Sequence, residues 1–225
     1  MPKVSCIISA YNEGSRIGKV LDAVCGHPLL DEVLVVDDGS EDNTQSVVKK
    51  YENVRLIVHE KNKGKNQAIL TGINNTSGDL IFLLDADLMG LAPENITAVI
   101  EPVFKNKADV SISLIKSAPF IYREIGLDFI SGERVFPRKM ISDQLEKIKG
   151  LSSYGIEVFL NKYIIKNNYR LKVVKWEKAR NPWKYEKTGL LPGIWGEIKM
   201  TFHIFKTISI FSFVYQITKM ISLKV

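Results

Sequence analysis

The stretch that most constrains the fold is Leu80 to Gly90, Leu-Ile-Phe-Leu-Leu-Asp85-Ala86-Asp87-Leu-Met-Gly. Five consecutive apolar residues, set off upstream by the turn residues Ser77-Gly78-Asp79, describe a strand buried on both faces, as in the middle of a parallel sheet. Alternation along an extended chain turns Asp85 and Asp87 the same way. Two carboxylates then meet at the strand's carboxyl end, where open α/β sheets bind ligands. Hard divalent cations prefer such oxygens, and Mg²⁺ in particular is held by one or two carboxylates while substrate phosphates supply further ligands. One reading is a metal-diphosphate site. The other is a strand followed by a solvated loop, which describes an isolated Asp-x-Asp as well, so the remainder of the chain has to choose.

Strand and helix patterns alternate on both sides of this run. Val4 to Ser9 is a short apolar strand, and Ile17, Val20, Leu21 and Val24 mark one face of a helix from about Ser15 to Cys25. Glu32 to Val36 is a second strand ending in Asp37-Asp38-Gly39-Ser40, with Ser40 or Asp42 placed to cap a helix over Thr44 to Tyr51. Val54 to His59 makes a third strand and Gly64 to Asn74 a third helix. Pro93 and Glu94 suit the first turn of a helix reaching Val103, and Asp109 to Leu114 is a further strand. Such alternation predicts an α/β fold with a parallel sheet and right-handed crossovers.

The regularity then lapses. Helices are expected over Ile121 to Phe129, Arg138 to Lys147 and Ser153 to Lys166, with extended pieces at Ser131 to Phe136 and Leu171 to Trp176. Glu177 to Gly193, with Pro182, Gly189, Pro192 and several basic residues, reads as a loop over a site or a linker. From Ile194 to Leu223 large apolar residues such as Phe202, Phe205, Phe211, Val214, Tyr215 and Met220 alternate with Lys199, Lys206 and Lys219. The uncharged stretch Thr207 to Thr218 is shorter than the ~20 residues a spanning helix needs. It suits either an amphipathic helix lying in a membrane interface or a helix packed on its own domain. The expected organisation is a domain over 1–193, divided into a nucleotide-binding half (1–90) and an acceptor half (91–193), followed by a C-terminal amphipathic segment (194–225).

A net charge of +6 favours anionic partners, among them nucleotide phosphates and lipid surfaces. Basic residues without a recognition motif argue against nucleic acid. Cys6 and Cys25 build no disulfide framework and have no zinc spacing. The start, Met-Pro-Lys-Val-Ser-Cys, lacks a basic segment followed by an apolar signal region, so the expected home is cytoplasmic, peripheral on the inner membrane face if the C-terminal segment binds lipid.

Polar or acidic residues follow strands one, two and four, which is what a nucleotide site at strand ends requires. Asp37 or Asp38 can accept a hydrogen bond from a base N–H. Glu13 and the backbone around Tyr11 sit at the corresponding end of the first strand. Gly64-Lys65 opens a helix whose free N–H groups, with the lysine charge, favour an anion. Singly, each also reads as a turn or a solvated charge.

Taken in order, Val4-Ser5-Cys6-Ile7-Ile8-Ser9-Ala10-Tyr11-Asn12-Glu13, Val35-Val36-Asp37-Asp38-Gly39-Ser40-x-Asp42-x-Thr44, Gly64-Lys65 and Phe82-Leu83-Leu84-Asp85-Ala86-Asp87 resemble the family 2 glycosyltransferases of the GT-A fold. The resemblance covers about the first 90 residues. It implies a Rossmann-like, mostly parallel sheet and a nucleoside-diphosphate sugar held by residues Ala10 to Glu13, by Asp37 and Asp38 on the base and by Lys65. It further implies that Asp85, Ala86 and Asp87 meet ribose and a Mg²⁺ or Mn²⁺ ion, with Asp85 and Asp87 as metal ligands.

The second half is similar to the members that glycosylate polyprenyl phosphates. Ser131-Gly132-Glu133-Arg134 resembles their Ser-Gly-x-Arg, which places Arg134 near a phosphate, and Arg180, followed by Lys184 and Lys187, resembles their basic loop. Two departures stand out. Met89 occupies a position where those enzymes often carry a polar metal-reaching residue, and the acidic pair of hydroxyl-acceptor enzymes is reduced to Glu157 in Gly155-Ile156-Glu157-Val158. Glu157 is a general base or a carboxylate paired on its helix.

The expected function is metal-dependent, inverting transfer of a sugar to a polyprenyl phosphate or other membrane-linked acceptor, with Asp87 and Glu157 as the catalytic pair. The alternatives are a soluble transferase acting on a saccharide or small-molecule hydroxyl, and a non-catalytic nucleotide-sugar-binding membrane scaffold. His203 could swing in as a metal ligand, but a lone histidine on an apolar helical face is more often merely packed.

Overall fold

The computed structural model describes residues 1–150, 155–182 and 209–225. Seven strands, β1 (Val4–Ala10), β2 (Glu32–Asp37), β3 (Val54–Val58), β4 (Leu80–Asp85), β5 (Val110–Ile115), β6 (Arg134–Pro137) and β7 (Leu171–Trp176), form one sheet in the order β3-β2-β1-β4-β6-β5-β7. The helices are α1 (Ile17–Val24), α2 (Thr44–Val48), α3 (Lys65–Asn74), α4 (Pro93–Phe104), α5 (Phe120–Ile125), α6 (Leu145–Lys149), α7 (Gly155–Lys166) and α8 (Ile210–Ser222). β1 to β4 are mutually parallel through their neighbours, and β5 is parallel to β7. β6 alone runs antiparallel, between β4 and β5.

Period-two alternation divides the core. Cys6 and Ile8 of β1 with Phe82 and Leu84 of β4 pack against Ile17, Val20 and Leu21 of α1 and Ile96, Val99 and Ile100 of α4. Ile7, Ile81 and Leu83 point the other way, onto Ile69 and Ile73 of α3 and Ile156, Leu160 and Ile164 of α7. β4 is buried on both faces except at Asp85, where the strand ends.

Three expected helices differ. The one over Ile121 to Phe129 stops at Ile125, because Gly126 takes a left-handed conformation (φ 68°) and its amide donates to Arg123 O at 3.2 Å. The one over Arg138 to Lys147 is two 3₁₀ turns followed by α6. Arg138 is drawn aside to donate to Gly78 O (2.6 Å), Ile73 O (2.7 Å) and Thr76 Oγ1 (2.9 Å), satisfying carbonyls at the end of α3. α2 ends at Val48 rather than Tyr51. Neither Ser40 nor Asp42 is its cap residue: Asn43 holds that position without a side-chain bond, and Asp42, one residue earlier, accepts from the Thr44 amide at 2.9 Å.

Candidate functional site

The carboxyl ends of β1, β2 and β4 open on a cleft of about 360 Å³, lined among others by Ala10, Tyr11, Glu13, Asp38, Gly64, Lys65, Asp85, Ala86 and Asp87. Of the donor-site residues expected from sequence, Asn12 and Asp37 are absent from this lining, and Asp37 is set deeper. Its carboxylate lies beneath, fully buried, accepting from Ser40 and from Gln45 Nε2 at 2.9 Å, where it holds the β2–α2 loop.

That loop and the β1–α1 loop are laced together. The Asn12 amide donates to Ser40 Oγ (2.9 Å), the Glu13 amide to Thr44 Oγ1 (2.9 Å) and the Gly14 amide to Asp42 Oδ2 (3.0 Å). Glu13 meets Arg16 at 2.8 Å, so its charge is shared within the first turn. Asp38 binds the other wall: Oδ1 accepts from His59 Nδ1 (2.6 Å) and the Lys63 amide (2.9 Å), and Oδ2 from the Gly64 amide (2.7 Å). His59, buried at the end of β3, is fixed on its far side by Thr71 Oγ1 at 2.9 Å. The sequence pattern places His59 at the end of the third strand without giving it a role; its position directly after the apolar residues of β3 is the signal for one.

Lys65 opens α3 and reaches Asp85 Oδ1 at 2.7 Å and Glu157 Oε1 at 3.7 Å. Burial disfavours its ammonium, but Asp85 and Glu157 outweigh that and hold its pKa above the ordinary lysine value. Glu157, on the first turn of α7, is buried, and its Oε2 has no hydrogen-bond partner among the described residues. Glu133 accepts at Oε2 from Ser113 (2.8 Å) and Ser131 (3.1 Å), and burial, then the charge of Asp85, push its carboxyl pKa up. Asp128 is raised to about 6, chiefly by burial. These two carboxylates were missed in the sequence, although Glu133 lay inside a noted motif.

Arg134 lies on β6 opposite Leu83, fully buried, donating through Nε to Ser131 O (2.9 Å) and through Nη1 to Asn161 Oδ1 (3.3 Å). Burial lowers its pKa, against the pull of Glu157, Asp128, Glu133 and Asp85, so it is the counter-charge beneath an acidic cluster. Arg180 stands at the rim: its amide donates to Met89 O at 3.0 Å and its carbonyl accepts from the Met89 amide at 2.8 Å, two residues past Asp87. Lys184, Lys187 and His203 lie outside the described residues.

Among the described residues no three His, Cys, Asp or Glu side chains group as a metal cage. The side chains that could offer oxygens to a cation at this cleft are Asp85 and Asp87. That pair fits a cation that completes its shell with substrate oxygens and water, as Mg²⁺ and Mn²⁺ do, and does not fit an all-protein site.

A mostly parallel α/β sheet with acidic groups, a lysine and a helix N-terminus gathered at its strand ends defines a GT-A-type domain. The glycosyl transferase family 2 model matches residues 5–154, and the chain belongs to that family. It is 39% identical over 88 residues to the uncharacterized glycosyltransferase YaiP of Escherichia coli, a match spanning 37% of this chain and 22% of that protein. It is 30% identical over 183 residues to the UDP-N-acetylglucosamine–dolichyl-phosphate N-acetylglucosaminyltransferase of Methanococcus voltae, spanning 62% of this chain and 72% of that one. In fold it is similar to glucosyl-3-phosphoglycerate synthase of Mycobacterium tuberculosis, solved with Mn²⁺, UDP-glucose and phosphoglyceric acid. The TM-score is 0.66 at 21% identity, over 80% of this chain and 72% of the other.

Proposed function

We propose that the chain is the catalytic domain of a metal-dependent, inverting glycosyltransferase moving a sugar from a nucleoside-diphosphate sugar to a polyprenyl phosphate or another membrane-linked acceptor. One observation carries this: Asp38 from the end of β2, Asp85 and Asp87 from the end of β4 and Lys65 from the start of α3 line a single cleft. The dolichyl-phosphate substrate named for the Methanococcus relative supports the acceptor class. The Mn²⁺ and UDP-glucose named for the mycobacterial structure support the cation and the donor class.

In this reading Asp38 receives a base N–H on its less occupied oxygen, Oδ2, while the N-terminus of α3 and Lys65 face the diphosphate. Asp85 and Asp87 would hold a divalent cation, which would supply Lewis-acid stabilisation of the diphosphate charge, worth several kcal/mol. An acceptor oxygen forms its bond to the anomeric carbon from the opposite side as the bond to the β-phosphate oxygen breaks. A lipid phosphate is already an anion and asks for no strong base. Arg180, at the rim, would hold it, and Arg134 acts from beneath by balancing the carboxylates. The C-terminal segment from residue 194 then holds the domain, 1–193, against the membrane as a peripheral contact on its cytoplasmic face. The boundary itself lies outside the described residues.

A hydroxyl acceptor is the second reading, favoured by Glu157: a buried carboxylate within 3.7 Å of Lys65 with one oxygen unpartnered is placed to take a proton. Product mass after incubation with a panel of nucleotide sugars and Mn²⁺ tests the first reading. Asp87→Ala should lower turnover on the order of 10²-fold or more with the fold kept, since the residue lies past the strand. Full activity of that variant, or in EDTA, refutes the metal role. Glu157→Gln should spare transfer to a lipid phosphate and abolish transfer to a hydroxyl, which separates the two acceptors.

A further inference from the structure

β5 and β7 run parallel in register, with Ile115 opposite Trp176. Because β6 is antiparallel to both β4 and β5, they also run in the direction of β4, so their carboxyl ends lie on the same edge of the sheet as Asp85. β5 is two strand spacings from β4 and β7 three, roughly 10 and 14 Å across the sheet.

A second cleft, of about 260 Å³, opens at that edge, lined among others by Lys116, Arg123, Lys175, Trp176 and Glu177. Three cations there face one carboxylate. None of the three has an acidic group within ion-pair distance among the described residues, although nearly every other strongly held charge at the strand ends is paired. Clustered cations of this kind repel one another and attract an anion. Trp176 is buried, and its indole N–H has no acceptor among the described residues, which is unusual for a buried tryptophan.

Beside the cleft the surface is apolar. Arg123 belongs to α5, which begins five residues after the end of β5, and its guanidinium lies 6.0 Å from the Phe120 ring centroid. Phe120 and Ile121 are 69% and 63% exposed. Large exposed apolar side chains next to unpaired cations form the combination that binds the boundary between acyl chains and anionic headgroups.

We propose that the Lys116–Arg123–Lys175 cleft seats the phosphate of an anionic membrane lipid, with Phe120 and Ile121 entering the interface beside it. α5 thereby sets the donor-site edge of the sheet against the membrane, independently of the C-terminal segment. The proposal deepens the membrane-linked reading above and is separable from the donor reading. The segment after Trp176 passes from this cleft to the metal-site rim, with Ala179 O accepting from the Lys116 amide at 2.9 Å and Arg180 pairing with Met89. A lipid phosphate held here is thus one short segment of chain from the reaction centre.

The test is flotation of the full chain with phosphatidylcholine vesicles, with and without phosphatidylglycerol, at low salt, alongside calorimetry with uridine diphosphate and Mn²⁺. The parent should float with the anionic vesicles. Lys116→Ala/Arg123→Ala/Lys175→Ala should weaken that binding roughly 100-fold, about 5-fold for each cation, and leave nucleotide binding unchanged. Phe120→Ser/Ile121→Ser should weaken binding to both vesicle types. All five side chains are exposed, so these variants should fold; equal melting temperatures check this, and the single Lys175→Glu replaces the triple variant if it melts early. A parent that stays off anionic vesicles, or cation variants that bind them as the parent does, overturns the proposal while the nucleotide measurement still reports on the donor site. Inorganic phosphate binding that depends on the three cations, without any vesicle binding, assigns the cleft to a soluble anion and overturns the lipid.

Discussion

At single residues, Gly132 sets the room left for Asp85 and Asp128 sets a pH dependence of stability. A Cβ at Gly132 would stand 2.8 Å from both carboxylate oxygens of Asp85, closer than real contacts allow. Gly132→Ala should therefore push Asp85 off its position and away from Lys65. Displacement on the order of 1 Å at a reacting centre can cost ~10²-fold in rate. The measurement is Mn²⁺-dependent nucleotide affinity, which should fall while affinity without metal changes little; equal metal dependence in the variant would show that Asp85 tolerates the methyl. Asp128 supplies a pH dependence. Burial raises its folded value to about 6 from an ordinary 3.8, so the folded state prefers it protonated. Its contribution is fully present below about pH 4 and is lost as the pH rises through about 6, a difference on the order of 3 kcal/mol. Asp128→Asn keeps an acceptor for the Ile130 amide, now 3.1 Å away, and should melt higher than the parent at pH 8 and equally at pH 4. A constant gap across that range would remove the titration argument.

Among the elements, α8 has two faces with different fates. Met220 is fully buried, and Phe213, Ile217 and Leu223 pack with it against the α7 side of the core. The Phe213 ring meets Phe129 edge to face at 4.8 Å, and the Leu171 amide donates to Leu223 O at 2.9 Å. Phe211, Val214 and Tyr215 face solvent. The packed reading of the C-terminal helix thus describes one face, and the other is exposed. No described helix is long and apolar enough to cross a membrane. Removing residues 209–225 should destabilise the domain rather than only solubilise it, and Met220→Ala alone should cost about 2–5 kcal/mol in denaturant unfolding. Unchanged midpoints in both variants would mean that α8 is dispensable to the core.

At the scale of the molecule, the sheet does not respect a division at residue 90. β6, from the second half, pairs with β4 through Leu80–Pro137, Ile81–Phe136, Phe82–Val135 and Leu83–Arg134, and so covers an edge that the first half leaves open. It also delivers Arg134 under Asp85, Glu133 and Glu157. A fragment ending at Lys105 should lack cooperative unfolding and bind nucleotide poorly, whereas the full chain should unfold in one transition. A folded fragment with full nucleotide affinity would mean that the first half needs no strand from the second.

What the sequence alone determined is the part governed by local pattern. The alternation of strands and helices, the period-two faces of β1 and β4 and the apolar run ending at Asp85 follow from burial over a few residues. The gathering of Ala10 to Glu13, Asp38, Lys65, Asp85 and Asp87 follows from their common position at parallel strand ends, a regularity of topology that spacing reveals. Only tertiary structure decided the rest. That Asp37 turns inward to hold a loop while Asp38 lines the cleft depends on Gln45, His59, Lys63 and Gly64, up to 26 residues away. That Arg134 is a buried counter-charge depends on an antiparallel strand inserted from far along the chain, and that α8 buries Met220 depends on a helix packing back on α7. Short-range periodicity carries which side of a strand is apolar, but it holds no information about which distant charges and surfaces will meet it. Those partners set burial, pairing and charge, and with them the work each side chain can do.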